Sequence, residues 1–189
     1  MRTINISDLN SGLPTITSSS GQYMVEAAVF CLLKNSHISG DCILNCITKV
    51  RKGKQDEYKD ENFQLIWDKL DSRAETTYGD LQVATEYGAM ALAVLLTIKL
   101  TNFTTVERSM KGTGIDYWIG DKDGYMFQKK ARLEISGIFK GDESQFKSRI
   151  KQKFKQTNIS DNCGLCCFVS VVEFGKPRAS FLSKEASYE

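Results

Sequence analysis

Gly114-Ile115-Asp116-Tyr117-Trp118-Ile119-Gly120 and, further on, Ala131-Arg132-Leu133-Glu134-Ile135-Ser136-Gly137 decide how this chain folds. Period-two alternation in the first stretch puts Ile115, Tyr117 and Ile119 on one face of a strand and Asp116 with Trp118 on the other. In the second, Ala131, Leu133 and Ile135 take the core face, and Arg132, Glu134 and Ser136 the opposite one. A hairpin folded about Tyr125, inside the turn-rich Asp121-Lys122-Asp123-Gly124 region, brings Asp116 opposite Glu134. Like charges facing each other on a sheet repel, so the pairing needs a proton, an arginine or a cation to compensate. Mg²⁺ or Mn²⁺ suits this role, because such an ion binds through one or two carboxylates, keeps several waters and neutralises charge on a phosphate. The same alternation allows a structural ion pair of Arg132 with Asp116 or Glu134 and no metal.

Outward from this pair, residues 80–100 read as a long helix with almost no polar face, carrying Leu81, Val83, Ala84, Tyr87, Ala91, Leu92, Val94, Leu95 and Ile98. Glu86 lies inside it, either as a third carboxylate of the cluster or at an exposed position of the helix. Residues 104–109 and 166–174 read as further strands, and 143–157 as a helix between the last two strands. That helix has an apolar stripe of Phe146, Ile150 and Phe154, with Lys147, Arg149, Lys151, Lys153 and Lys155 around it. Its basic face fits sequence-independent contact with a nucleic-acid backbone, or simply solvent. Gln152 and Gln156 are also candidates to reach the site.

The N-terminal third is expected to be a loose arm over residues 1–20, then a helix over 22–33 and two strands, 42–50 and 62–70, joined by a charged solvated loop at 51–61. A last segment after Pro177, carrying Ala179, Phe181 and Leu182, reads as a short edge strand before a polar tail. The expected division is an arm (1–20), a helix and hairpin packed on the core (21–78), an α/β core (79–182) and a tail (183–189). The fold class is α/β, a central mixed sheet from about residue 104 onward flanked by helices.

Of 189 residues, 41% are hydrophobic and 25% charged, which excludes a disordered or fibrous chain. Twenty-five basic against 23 acidic residues leave a formal charge of +2, so any binding of nucleic acid or anionic lipid needs a local patch. Six cysteines in apolar contexts read as free thiols. Cys42, Cys46, Cys163 and Cys166 could together supply four thiolates to zinc, but Cys46, Cys166 and Cys167 fall in apolar strands rather than on tight turns, so zinc is not expected. The single histidine, His37, rules out a His-rich metal site. Lys111-Gly112-Thr113-Gly114 precedes a strand rather than opening a helix, so it is not a phosphate-cradling loop of the ATPase type. The longest apolar run, 88–98, falls short of the roughly 20 residues that span a bilayer, and with no secretory leader visible a cytoplasmic setting without membrane contact is expected.

Between residues 80 and 174 the pattern resembles the PD-(D/E)XK nucleases, the restriction-endonuclease-like superfamily of restriction enzymes, resolvases and repair exonucleases. The resemblance implies a restriction-endonuclease-like core with the N-terminal helix and two strands as an extension. It implies Glu86 on the first core helix, Asp116 on the second core strand and Glu134 on the third as metal ligands and catalytic acids, followed by a helix and a further strand. Lys111-Gly112-Thr113-Gly114-Ile115 is similar to the Gly-rich lead into that Asp. The family's lysine, two residues after the second acid, is replaced by Ser136. Its role then falls to a basic residue elsewhere: Lys111, Lys129, Lys130, Arg132 or Lys151, of which Lys130 and Arg132 are nearest the acids in sequence. The implied activity is metal-dependent hydrolysis of phosphodiester bonds in DNA, in a restriction or phage-defence setting, with Lys111, Lys147, Arg149, Lys151, Lys153 and Lys155 on the backbone. The competing class is a non-catalytic module of the same fold that binds a partner protein or nucleic acid in a larger assembly. Self-association stays open. A lysine within reach of both acids is the observation that separates these expectations.

Overall fold

Each long helix starts where a side chain satisfies the orphan N–H groups of its first turn. Thr17 accepts from the Ser20 amide at the head of α1 (Ser18–Lys34). Asp80 accepts from the Gln82 amide at 2.8 Å at the head of α3 (Leu81–Leu100), and a short α2 (Ala74–Thr77) precedes it. Asp142 and Gln145 form a reciprocal capping box on α4 (Glu143–Gln156). This computed structural model describes residues 1–52, 55–123 and 126–184, without side chains at 50–52, 55, 122, 123 and 126. Gly124 and Tyr125 of the expected turn, residues 53 and 54 of the charged loop and residues 185–189 of the tail lie outside the described residues.

The strands are β1 (Arg2–Asn5), β2 (Cys42–Lys52), β3 (Gln55–Ile66), β4 (Thr105–Arg108), β5 (Tyr117–Asp123), β6 (Met126–Ile138), β7 (Cys166–Glu173) and β8 (Arg178–Lys184). They form one mixed sheet in the order β1-β3-β2-β8-β7-β6-β5-β4. The expected α/β class with a mixed sheet flanked by helices is what the chain adopts. The sheet does not begin near residue 104, however. The β2–β3 hairpin is part of it, because β8 pairs in parallel with β2 and antiparallel with β7.

Three expectations for the flanks need correcting. The arm is not loose: β1 pairs in parallel with β3, and Ile4, Ile6 and Leu9 are fully buried, the latter two in a 3-10 turn over Ile6–Ser11. The charged loop is shorter than expected, since β2 and β3 run as paired strands through Lys52 and Gln55, with Lys49 and Asp56 bridged at 2.7 Å. The last segment is not an edge strand but sits fourth in the sheet. Pro177 lies outside it, and Ala179, Ser180 and Phe181 are buried. The Ser180 hydroxyl accepts from the Val171 amide at 3.0 Å.

α1 and α3 cover one face of the sheet and α4 the other. α3 is long and apolar enough to cross a membrane by length and composition. Polar Gln82 and Glu86 carry it beyond the apolar run, and residues from Ala84 to Thr97 are spent on α1 and the sheet instead. The two helices meet at Gly88, where an added Cβ would fall 2.9 Å from the Ala28 Cα and 3.0 Å from its nitrogen. The expected outcome of Gly88→Val is a loss of about 1–3 kcal/mol in urea denaturation, because packed backbone rather than a flexible side chain opposes the new methyl groups. A variant as stable as the parent would show that α1 and α3 are free to separate.

Candidate active site

β5 ends at Tyr117 while its antiparallel partner β6 runs on to Ile138. The pairs Tyr117↔Leu133, Trp118↔Arg132 and Ile119↔Ala131 follow the expected hairpin register before a bulge shifts it after Ile119. Beyond Leu133 the edge of β6 therefore has no strand beside it. Asp116 covers the first open position: its amide donates to the Leu133 carbonyl at 3.0 Å, and its Oδ2 accepts from the Ile135 amide at 2.8 Å. A bare edge N–H in a half-buried position is costly, and this carboxylate removes the cost.

A cleft of about 1150 Å³ opens at that edge, between α3 and α4. One wall carries Gln82, Thr85 and Glu86, the other Arg149, Gln152 and Lys153, with Asp116 and Ser136 at the base. α3 comes down onto the strand at Gly137, where a Cβ would fall 2.4 Å from the Thr85 carbonyl oxygen.

Glu134 lies beneath the cleft, 1% exposed. Its Oε1 accepts from Lys153 Nζ at 2.5 Å and from Gln156 Nε2 at 2.9 Å. Its Oε2 is buried without a hydrogen-bond partner. The carboxylate of Asp116 adjoins it, and two acceptors cannot bond without a proton or cation between them. Burial first, and then the Asp116 charge, push the Glu134 carboxyl up to about 7 against the opposing pull of Lys153.

α4 supplies cations to this strand one turn apart. Arg149 donates to the Ser136 hydroxyl at 2.8 Å, while Lys153 bonds Glu134. The ammonium on Glu134 thus comes from the helix and not from position 136 of the strand. It is Lys153, which was expected only to touch a nucleic-acid backbone. The signal for it was in the sequence: Arg149, Lys153 and Gln156 share the helix flank next to the Phe146–Ile150–Phe154 stripe, and that flank faces the polar side of β6.

The other candidates are placed elsewhere. Arg132 is fully buried and structural, bonded to the Leu165 carbonyl, the Ser160 hydroxyl at 2.9 Å and Asp161 at 3.0 Å, so it pairs with neither Asp116 nor Glu134. Lys130 bridges Asp121 at 2.8 Å and Lys129 bridges Glu107 at 3.1 Å, both outside the cleft lining. Lys111 is exposed in the loop before β5, and Lys151 and Lys155 are exposed on α4. Lys147 pairs with Glu143 at 3.1 Å. Glu86 lines the cleft but is exposed, and among the described residues no three His, Cys, Asp or Glu side chains form a metal-holding group. The expected three-carboxylate cluster is therefore a pair with a third acid across the cleft, because nothing desolvates Glu86 and forces it toward a partner. His37 Nε2 donates to the Phe174 carbonyl at 2.9 Å. Cys31, Cys42, Cys46 and Cys167 are buried free thiols, and burial pushes them up from their ordinary value.

Compared with known proteins, the chain matches no family model, no characterised protein and no solved structure.

The raised Glu134 pKa fixes the sign of a pH dependence. The folded state holds the proton up to about 7 and the unfolded chain only up to 4.5, so this group's contribution to stability falls as pH rises across that window and is lowest above it. Urea titrations of Glu134→Gln should show a gain over the parent above pH 7, on the order of 1–3 kcal/mol, that shrinks toward pH 4.5. Curves that stay parallel over the window would mean that Glu134 is ionised throughout.

Proposed function

We propose that this protein is a metal-dependent nuclease with a restriction-endonuclease-like core, hydrolysing phosphodiester bonds in DNA. The observation that carries the reading is the unpartnered, buried Glu134 Oε2 beside Asp116, with Lys153 on the other oxygen, at the base of an open polar cleft. The element order α3, β4-β5-β6, α4, β7 supports it, with Glu86 on α3, Glu134 on β6 and Asp116 directly ahead of β5 rather than on it.

The donor set fits a hard divalent cation, Mg²⁺ or Mn²⁺, which takes one or two carboxylates and completes its shell with water and phosphate. Asp116 and Glu134 would hold it, with Glu86 as an auxiliary acid from the opposite wall. When bound, such an ion neutralises charge on a phosphate and acidifies a coordinated water. The residues of the chain do the rest. Lys153 brings positive charge to the Glu134 carboxylate, where phosphoryl oxygens would gather negative charge. Arg149 and the exposed Lys147, Lys151 and Lys155 of α4 hold the backbone without reading sequence. A restriction or phage-defence role accords with this chemistry.

A second reading, a non-catalytic module of this fold that binds nucleic acid or a partner protein, is favoured by one fact. The Lys153 ammonium already compensates Glu134, as it would in a site that has no use for a cation.

Cleavage of single- and double-stranded DNA and of RNA, titrated with Mg²⁺ and Mn²⁺, separates the two. The parent should cleave DNA with saturable metal dependence. Asp116→Ala, Glu134→Gln and Lys153→Ala should each lower the rate by about 10²–10⁴-fold, while Lys130→Ala should not change it. Activity that survives Asp116→Ala would overturn the catalytic assignment, and no cleavage of any substrate would leave the binding module.

A further inference from the structure

Beyond the cleft, a second cavity of about 490 Å³ lies between the first turns of α1, the middle of α3 and the strands β4 and β5. Its size falls within the roughly 300–1,000 Å³ of small-molecule sites. Three tyrosines line it, each from a different element: Tyr23 of α1, Tyr87 of α3 and Tyr117 of β5. Tyr23 and Tyr87 meet edge to face at 4.8 Å and 84°, so they do not close the space by stacking on each other. Arg108 stands at the rim, exposed. One of its nitrogens bonds the Tyr117 hydroxyl at 3.1 Å and the Met90 sulfur at 3.2 Å. The hydroxyls of Thr17 and Ser20 complete the wall.

Aromatic rings alone would suit a quaternary ammonium ion, but the Arg108 charge repels one. Rings beside a guanidinium favour a planar aromatic ligand that carries an anion. The cavity neighbours the proposed catalytic cleft without sharing a lining residue with it. Met90, which Arg108 contacts, lines both the cleft and this contact, and Tyr117 directly follows Asp116.

We infer that this cavity is a nucleotide pocket, in which a base stacks on the half-buried Tyr23 and Tyr87 while Arg108, held over the buried Tyr117 ring, meets its phosphate, the nucleotide being the unpaired end of a strand that lies in the cleft. The strand's path rests on the nuclease reading, whereas the pocket chemistry does not. Calorimetric titration of adenosine monophosphate into the full chain, with a chelator present, tests the chemistry alone. Binding should weaken roughly fivefold or more in Tyr87→Ala and in Arg108→Gln, be retained in Tyr87→Phe, and be unchanged in Glu134→Gln. A short single-stranded DNA should displace the mononucleotide and a blunt duplex should not. No binding by the parent, or equal binding by Tyr87→Ala and Arg108→Gln, would overturn the pocket. Binding that single-stranded DNA fails to displace would overturn the strand end in favour of a free nucleotide. Nucleotide binding without metal-dependent cleavage would sink the nuclease reading and leave the pocket standing.

Discussion

The polar side of β6 is the constraint on which this structure turns. Arg132, Glu134 and Ser136 occupy alternate positions of a strand and are all buried, a placement that costs several kcal/mol per unpaired charge. α4 removes that cost because its repeat matches that of the strand: two residues of strand advance about 6.6 Å and four of helix about 6 Å. The pairs accordingly run in opposite directions along the two elements. Ser136 meets Arg149, Glu134 meets Lys153 and Gln156, and Arg132 meets the Thr157 carbonyl and Ser160 just past the helix. Ile138 continues the series into the apolar cluster of Phe146, Val169 and Val171. The crossover from β6 through α4 to the parallel β7 is thus fixed by polar pairs on one flank of the helix and by hydrophobic packing on the other. Its N-terminal end is tied by Arg178, which bonds Glu143, lies 4.6 Å from the Phe146 ring and bridges the buried Glu173.

The cleft is a consequence of unequal strand length. Had β5 continued beside β6 past Leu133, its backbone would have filled the ladder and walled off α3 from α4. Because it stops, the Ile135 amide is satisfied by a side chain instead, and the residue that does this is an acid. The requirement to pair an edge N–H therefore delivers a carboxylate next to Glu134, and the repulsion this creates leaves one buried oxygen without a donor. Backbone satisfaction and the chemical potential of the site are here two sides of one contact.

Much of this was legible in the sequence, and the reasons are local. Alternation in 114–120 and 131–137 gave both the faces and the register that places Asp116 beside Glu134, since a one-residue slip would turn every apolar side chain outward. The spans of α3 and α4 followed from periodicity, whereas α1 begins at Ser18, inside the expected arm. What escaped depends on partners distant in sequence. β1 is only four residues long and is a strand because β3 lies next to it. β8 looked peripheral beside Pro177, yet the two halves of the sheet need it as their bridge. Glu86 took the second of the two readings open to it, an exposed position of the helix, on the wall of the cleft.

Lys153 illustrates why a residue's role need not follow its position in a motif. A lysine two residues beyond Glu134 on the same strand would project to the same face and would have to share the space that α4 now fills. With Ser136 there instead, the small hydroxyl lets Arg149 dock, and that contact sets the axial position of α4 along β6. One turn further on, the helix brings Lys153 onto Glu134, so the short serine and the helical lysine are complementary parts of one arrangement. Placing a lysine at position 136 would therefore not simply add a second ammonium. It would bring like charge against Arg149 in a buried space and push the helix, with Lys153, away from the acid it serves.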